Sequence, residues 1–193
     1  MISRALILSL LSPLLILAVL SPLLMAAAMA QQTPTRKPAP VAKTSGKPKA
    51  DGPKPIGKFD DWVAATHLEA GQAVCYAFTR AQSSMPALAG RGAVILTVAQ
   101  RPSGRDAVAI EAGFAFAPNA TVTVQADQAG LDFYTAQRAA FARNGHAAVT
   151  AFASAGRAIA RSPGPREAKV TDTFSLKGFA AAYAAISKAC PAK

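Results

Sequence analysis

Histidine occurs twice in the 193 residues, cysteine twice and tryptophan once, and the ten Asp and Glu face twenty-one Lys and Arg. These scarcities exclude a good deal. Two widely separated thiols with no histidine pair beside them do not make a tetrahedral zinc site. A G-x-S-x-G turn, an H-E-x-x-H helix and a phosphate-binding P-loop are all missing. Gly90-Arg91-Gly92 lacks the third glycine of a dinucleotide loop and no strand-to-helix pattern surrounds it. Asp60 and Asp61 are adjacent and diverge in an extended chain. His67 falls in the loop-like stretch THLEAGQ and His146 near the start of a short helix, so both read as surface or capping residues. No catalytic residue, cofactor or metal ligand is nominated.

Long apolar runs are confined to the N-terminus. There Arg4 precedes ALILSLLSPLLILAVLSPLL and the small-residue stretch MAAAMA. A basic start, an apolar core and Ala28-Met29-Ala30 in an A-x-A arrangement describe a secretory signal peptide over residues 1–30, cut after Ala30. The alternative is a retained membrane anchor, because the run approaches the roughly 20 residues that span a bilayer. Pro13 and Pro22 count against a spanning helix. Cleavage leaves no integral membrane span and implies a periplasmic, outer-surface or secreted protein.

Residues 31–58 have no aromatic side chain and almost no bulky aliphatic one, while Pro, Lys and Ala recur. Such a composition cannot bury enough surface to offset the entropy of ordering, so it reads as a disordered linker. Its prolines favour extended segments that reach roughly 80 Å at about 3.1 Å per residue. Of the formal net charge of +11, this linker carries +6, Arg4 contributes +1 and residues 59–193 carry +4. An exported chain meets little nucleic acid, which leaves an envelope protein or an anionic cell-wall or lipid component as the partner of the basic linker. The plainer alternative is that the lysines keep a flexible linker soluble.

Residues 59–193 suffice for one domain with one core, thin-walled and aliphatic because so much of it is alanine. Runs at 72–79, 92–100, 106–113 and 120–127 are short, rich in β-branched or aromatic residues and separated by turn formers, and they predict the strands of a sandwich. Residues 131–137 and 138–145 add shorter strands. The spacing of Ala148, Val149, Phe152 and Ala153 predicts a short helix over 146–155. Extended chain then resumes at GRAIARS, turns at SPGP and returns as REAKVTDTF.

In that last strand Val170, Asp172 and Phe174 share a face, so Asp172 is a carboxylate on an inward side. It reads as a structural cap, sitting at the sheet rim to accept from backbone amides or to pair with an arginine. Ser175 reads as the N-cap of a closing helix whose apolar stripe is Leu176, Phe179, Ala180, Tyr183 and Ile186. With only Cys75 and Cys190, one intramolecular disulfide is available, and an exported chain is oxidised. Free thiols and an intermolecular bridge remain the alternatives. Arg80, Arg101, Arg105, Arg138 and Arg143 are scattered exposed cations too diffuse to define a site.

The segment TDTFSLKGFAAAYAAISKAC, after a short helix and a hairpin and paired with an early CYAFTRAQ, resembles the invasion-associated locus B family of exported alphaproteobacterial proteins. The likeness runs from about Trp62 to Cys190. It implies an immunoglobulin-like β-sandwich at the cell envelope, associated in some pathogenic members with invasion of host cells. Where relatives are expected to carry a further cysteine soon after the tryptophan, this chain has Ala64 and Ala65, so that bridge is missing. The reading that follows is a non-enzymatic envelope protein with a binding or structural role. The competing reading is an envelope enzyme of unrecognised type that uses Asp172 with a histidine.

Overall fold

The structure, a computed structural model, describes residues 52–192. The expected signal peptide and the linker up to residue 51 lie outside the described residues. The described chain is mainly β, with a short internal helix and a C-terminal helix packed against a sandwich, as the sequence implies. Its strands are β1 (Lys54–Phe59), β2 (Trp62–Glu69), β3 (Gln72–Arg80), β4 (Ser83–Met85), β5 (Ile95–Arg101), β6 (Gly104–Glu111), β7 (Thr121–Ala126), β8 (Ala129–Ala136), β9 (Ala139–Ala142), β10 (Arg157–Pro163) and β11 (Lys169–Ser175). Helix α1 (Gly145–Ser154) precedes β10, and α2 (Phe179–Ala189) follows β11.

One antiparallel ladder joins these strands in the order β1-β2-β3-β5-β6-β9-β8-β7-β10-β11-β4. What folds it into two layers is the junction of β3 with β4. There Ala81 donates its amide to Val94 O at 3.0 Å, and the next amide, Gln82, donates to Thr173 O at 2.8 Å. Within two residues the chain leaves the β5 side and joins β11, which brings the far end of the ladder back to the end of β3.

Three strands, β1, β2 and β4, arise where none was expected. The linker boundary drawn at residue 58 moves to residue 53, because Lys54–Phe59 pairs with β2 from Lys54 opposite Thr66 to Phe59 opposite Trp62. Proline forfeits a ladder donor, so Pro55 is tolerable only on an edge strand, and the register shifts between Pro55 and Gly57. His67, placed above in a loop, lies in β2 opposite Val74.

The core also differs from the aliphatic one expected. Alanines do line it, but its largest fully buried side chains include Trp62, Phe133, Phe152, Phe174 and Phe179. Phe179 meets Trp62 edge-on at 5.0 Å and Phe152 at 5.6 Å, so one ring at the start of α2 joins α1 to β2. Edge-to-face pairs of this kind add about 0.5–1.5 kcal/mol each beyond area burial.

The passage from β11 into α2 is a bracket rather than a cap. Ser175 is not the N-cap: its Oγ accepts from Lys177 N at 3.2 Å, one turn before α2 begins, while Gly178 holds the N-cap position with no side-chain bond. Gly178 sits at φ 87°, and any Cβ there would collide with Phe59 O. The same segment grips the β1–β2 turn from both sides. Trp62 Nε1 donates to Ser175 O at 3.1 Å, and Asp61 N donates to Lys177 O at 3.4 Å. Ala180, expected in the apolar stripe, is exposed; Ala182 is buried in its place, beside Phe179 and Ile186.

At its far end α2 is fastened covalently by the Cys75–Cys190 disulfide, with a sequence separation of 115. Closing a loop of that length restricts the denatured chain by about 5 kcal/mol in the entropic account. The double substitution Cys75→Ser, Cys190→Ser is therefore expected to lower unfolding free energy by about 3–5 kcal/mol. Urea unfolding at equilibrium checks this, with the reduced native chain expected to match the double variant.

Candidate functional site

Two polar centres interrupt the apolar interior, and each is built around a carboxylate. The first is Asp172, which β11 directs inward between Ala160 and Ser84 of its neighbour strands. Both oxygens are taken by Arg91, Nη1 to Oδ1 at 2.8 Å and Nη2 to Oδ2 at 2.7 Å. Arg91 also donates through Nε to Ala112 O at 2.8 Å and lies over the Phe114 ring, 4.9 Å from its centroid. With side chains only 7% and 4% exposed, this is a buried, bidentate ion pair. It ties the long β4–β5 connection down onto β11. Of the two structural roles foreseen for Asp172, pairing with an arginine is the one observed.

The second centre is Asp106, near the start of β6 where the register with β5 shifts, in a left-handed conformation with φ 54°. Its Oδ1 accepts from Tyr183 Oη at 2.6 Å and from Gln100 Nε2 at 2.8 Å, and its own amide donates to Gln100 Oε1 at 3.0 Å. Gln100 is fully buried, and its Nε2 also reaches Ser187 Oγ at 3.4 Å. On the other carboxylate oxygen, Oδ2, His146 Nδ1 stands at 3.4 Å, its ring 85% exposed. Glycine is required at 145, because a Cβ would strike Asp106 O and lift α1 away. Asn144 caps that helix by accepting from Ala147 N at 3.0 Å.

Asp106 is thus the point where the β5–β6 hairpin, α1 and α2 meet. Burial disfavours its charge, but hydrogen bonds from Tyr183, Gln100 and His146 outweigh that and hold its carboxyl below the ordinary aspartate value. Burial and the adjacent carboxylate push the Tyr183 phenol up. A saturated carboxylate and a phenol that resists ionisation are suited to fastening elements together rather than to moving protons.

The enzyme reading joined Asp172 to a histidine. The structure does not bring them together: His146 contacts Asp106, and His67 contacts Glu69 at 3.0 Å. Among the described residues, no cluster of three or more His, Cys, Asp or Glu could hold a metal ion. Sequence reasoning missed Arg91, Gln100, Asp106 and Tyr183 as a set. One signal was available, since an inward carboxylate demands a buried cation, but nothing local marked Arg91 as that cation.

No family model and no curated protein matches the sequence. Among solved structures, the invasion associated protein B of Bartonella henselae shares the fold, with a TM-score of 0.51 and 14% identity over 69% of this chain and 96% of that one.

Two predictions follow from the carboxylate centres. Asp172→Ala is expected to cost about 3–5 kcal/mol of stability by stranding the Arg91 charge, and Arg91→Met with Asp172→Leu to recover most of it; chemical denaturation of the three proteins decides. Because the folded pKa of Asp106 is depressed, its contribution is present above the unfolded value of about 3.9 and lost as pH falls through the lower folded value. Tyr183→Phe removes a donor, so carbon-13 NMR titration should show the Asp106 carboxyl moving up toward its ordinary value.

Proposed function

We propose that this chain is an exported, non-enzymatic cell-envelope protein of the invasion-associated locus B type, acting in the periplasm or at the outer surface by binding. In this reading residues 1–30 are a cleaved signal peptide, residues 31–53 a basic tether, and the sandwich a rigid body that the tether allows to reach a partner. The observation that carries the proposal is the Cys75–Cys190 bridge. A domain whose closing helix is fastened to β3 by a disulfide belongs in an oxidising compartment, where such bonds persist.

Three further facts support it. The N-terminus has the charge, apolar core and A-x-A order of a secretory leader. The fold matches that of a protein whose name associates it with invasion. Both carboxylates are committed to partners within the domain, Asp172 to Arg91 and Asp106 to Tyr183 and Gln100. The partner class is an anionic envelope component, because the excess positive charge lies on and around the tether.

The test is to recover the protein from fractionated cells. Mass spectrometry is expected to find an N-terminus at Gln31 and an oxidised Cys75–Cys190 pair in the envelope or secreted fraction. A chain that starts at Met1 with both thiols reduced, in the cytosolic fraction, would refute export.

A further inference from the structure

The layer that holds β2, β3, β5 and β6 has a filled side and an open one. Register pairs Ala64 with Ala77, Val98 and Val108 on the core side, where Cys75 and Gln100 also point and meet α2. Alternation sends the neighbours of these residues the other way. There Val63 stands opposite Phe78, then Thr97 and Ala109, and the same row runs on through Phe141 of β9 to Tyr134 of β8. Beside it lies a second row of Ala65, Tyr76, Ala99 and Ala107. The four rings of this outer face belong to neither core cluster. Tyr76 and Phe78 stack along β3 with centroids 6.2 Å apart, and Tyr134 stacks on Phe141 at 5.5 Å. The two ridges stand three strand spacings apart, about 14 Å, and only Thr97, Ala99, Ala107 and Ala109 floor the trough between them.

A trough of small residues between ring ridges is shaped to receive a ring ridge, and this face supplies one. Take a two-fold axis parallel to the strands, midway between β3 and the middle of the trough. It drops the Tyr76–Phe78 ridge of one copy into the trough of another, and the reverse contact forms at once. The charges agree with the shape. Arg80, Ile95 and Glu111 make the next row of the same face, and the axis sets each Arg80 beside Glu111 of the second copy. Arg80 is exposed and pairs with no carboxylate among the described residues, while Glu111 meets only Arg138, at 3.6 Å with both side chains about half exposed. From β1 to β8 the face spans six spacings of about 4.8 Å by strands of about 20 Å. That is on the order of 600 Å² a copy, at the low end of specific interfaces. A polysaccharide would need more donors and acceptors than the floor's single hydroxyl, Thr97.

We propose that the chain forms a two-fold dimer through this outer face, with the Tyr76–Phe78 ridge of each copy seated on Thr97, Ala99, Ala107 and Ala109 of the other and Arg80 paired with Glu111 at both ends. An interface of this size holds weakly, so monomer and dimer exchange in the micromolar range. An axis parallel to the strands keeps the starts of both β1 strands at one end of the dimer. Two N-terminal tethers then leave from the same side, and a surface that binds one of them is met twice.

The experiment is analytical ultracentrifugation of the oxidised chain from Gln31 onward across the micromolar range, where mass is expected to pass from monomer to dimer. Ala109→Lys, which puts unpaired charge on the floor of the trough, should weaken association roughly a hundredfold. Arg80→Glu and Glu111→Arg should each weaken it about tenfold, since like charges then meet at both ends of the interface. An equimolar mixture of these two variants should dimerise as the parent does, because each supplies the charge the other lacks. A loss of folding in either variant would not produce that rescue. Thr123→Lys, on the outer face of the second layer, should leave association unchanged. A chain that stays monomeric throughout overturns the proposal. So does a dimer indifferent to Ala109→Lys and to both charge reversals, which would place the contact on another face. If the chain is monomeric and an envelope polysaccharide retains it until Tyr76→Ser is made, the face belongs to a glycan and the proposal also falls. None of these results bears on export, which is read by fractionation.

Discussion

Helix α2 has eleven residues, fewer than an isolated helix needs to persist in water, and an apolar stripe that cannot stay exposed. Its existence therefore depends on being held, and it is held at three heights by three kinds of force. At its start Gly178 presses against Phe59 O and Phe179 enters between Trp62 and Phe152. Midway, Tyr183 donates to Asp106. Past its end, the disulfide ties Cys190 to β3. Removing any one leaves the others to resist fraying, which suits a helix that closes a domain.

The buried Asp172 and the part-buried Asp106 solve one electrostatic problem differently. Asp172 meets a full opposite charge, so its desolvation is balanced by Coulomb attraction and two parallel hydrogen bonds. Asp106 has neutral donors and one exposed imidazole, so its charge is kept chiefly by hydrogen bonding, with a smaller Coulombic contribution from His146 on the solvent side. The first arrangement is geometrically strict and locks a loop. The second joins three elements that approach from different directions, where a single rigid fork could not reach them all.

Much of this was legible in the chain. Strands β3, β5, β6 and β7 carry β-branched side chains between turn formers, and α1 shows its helical spacing within a residue of the observed bounds. The pairing of two cysteines needed only counting. Strand β1 was hidden because its Pro55 and lysines match a linker, and only an edge position beside β2 makes them acceptable in a strand. Strand β4, at three residues, is too short to show any period. The polar centres escaped for a different reason. Arg91 and Asp172 lie 81 residues apart, as Asp106 and Tyr183 lie 77, and no local pattern carries a distance of that kind. Asp106 read as the first residue of a strand run, and nothing in that run marks the left-handed backbone it adopts inside β6.

The bridge between β3 and the close of the chain has a consequence for timing. Cys190 follows Cys75 by 115 residues, and the bracket that seats the β1–β2 turn lies at 175–178. A polypeptide delivered from its N-terminus thus presents its first hairpin long before the residues that cover it exist alongside. Until residues 175–190 arrive, Trp62 and its neighbours have no lid, and the nascent hairpin must wait, unsealed, for the helix that covers it.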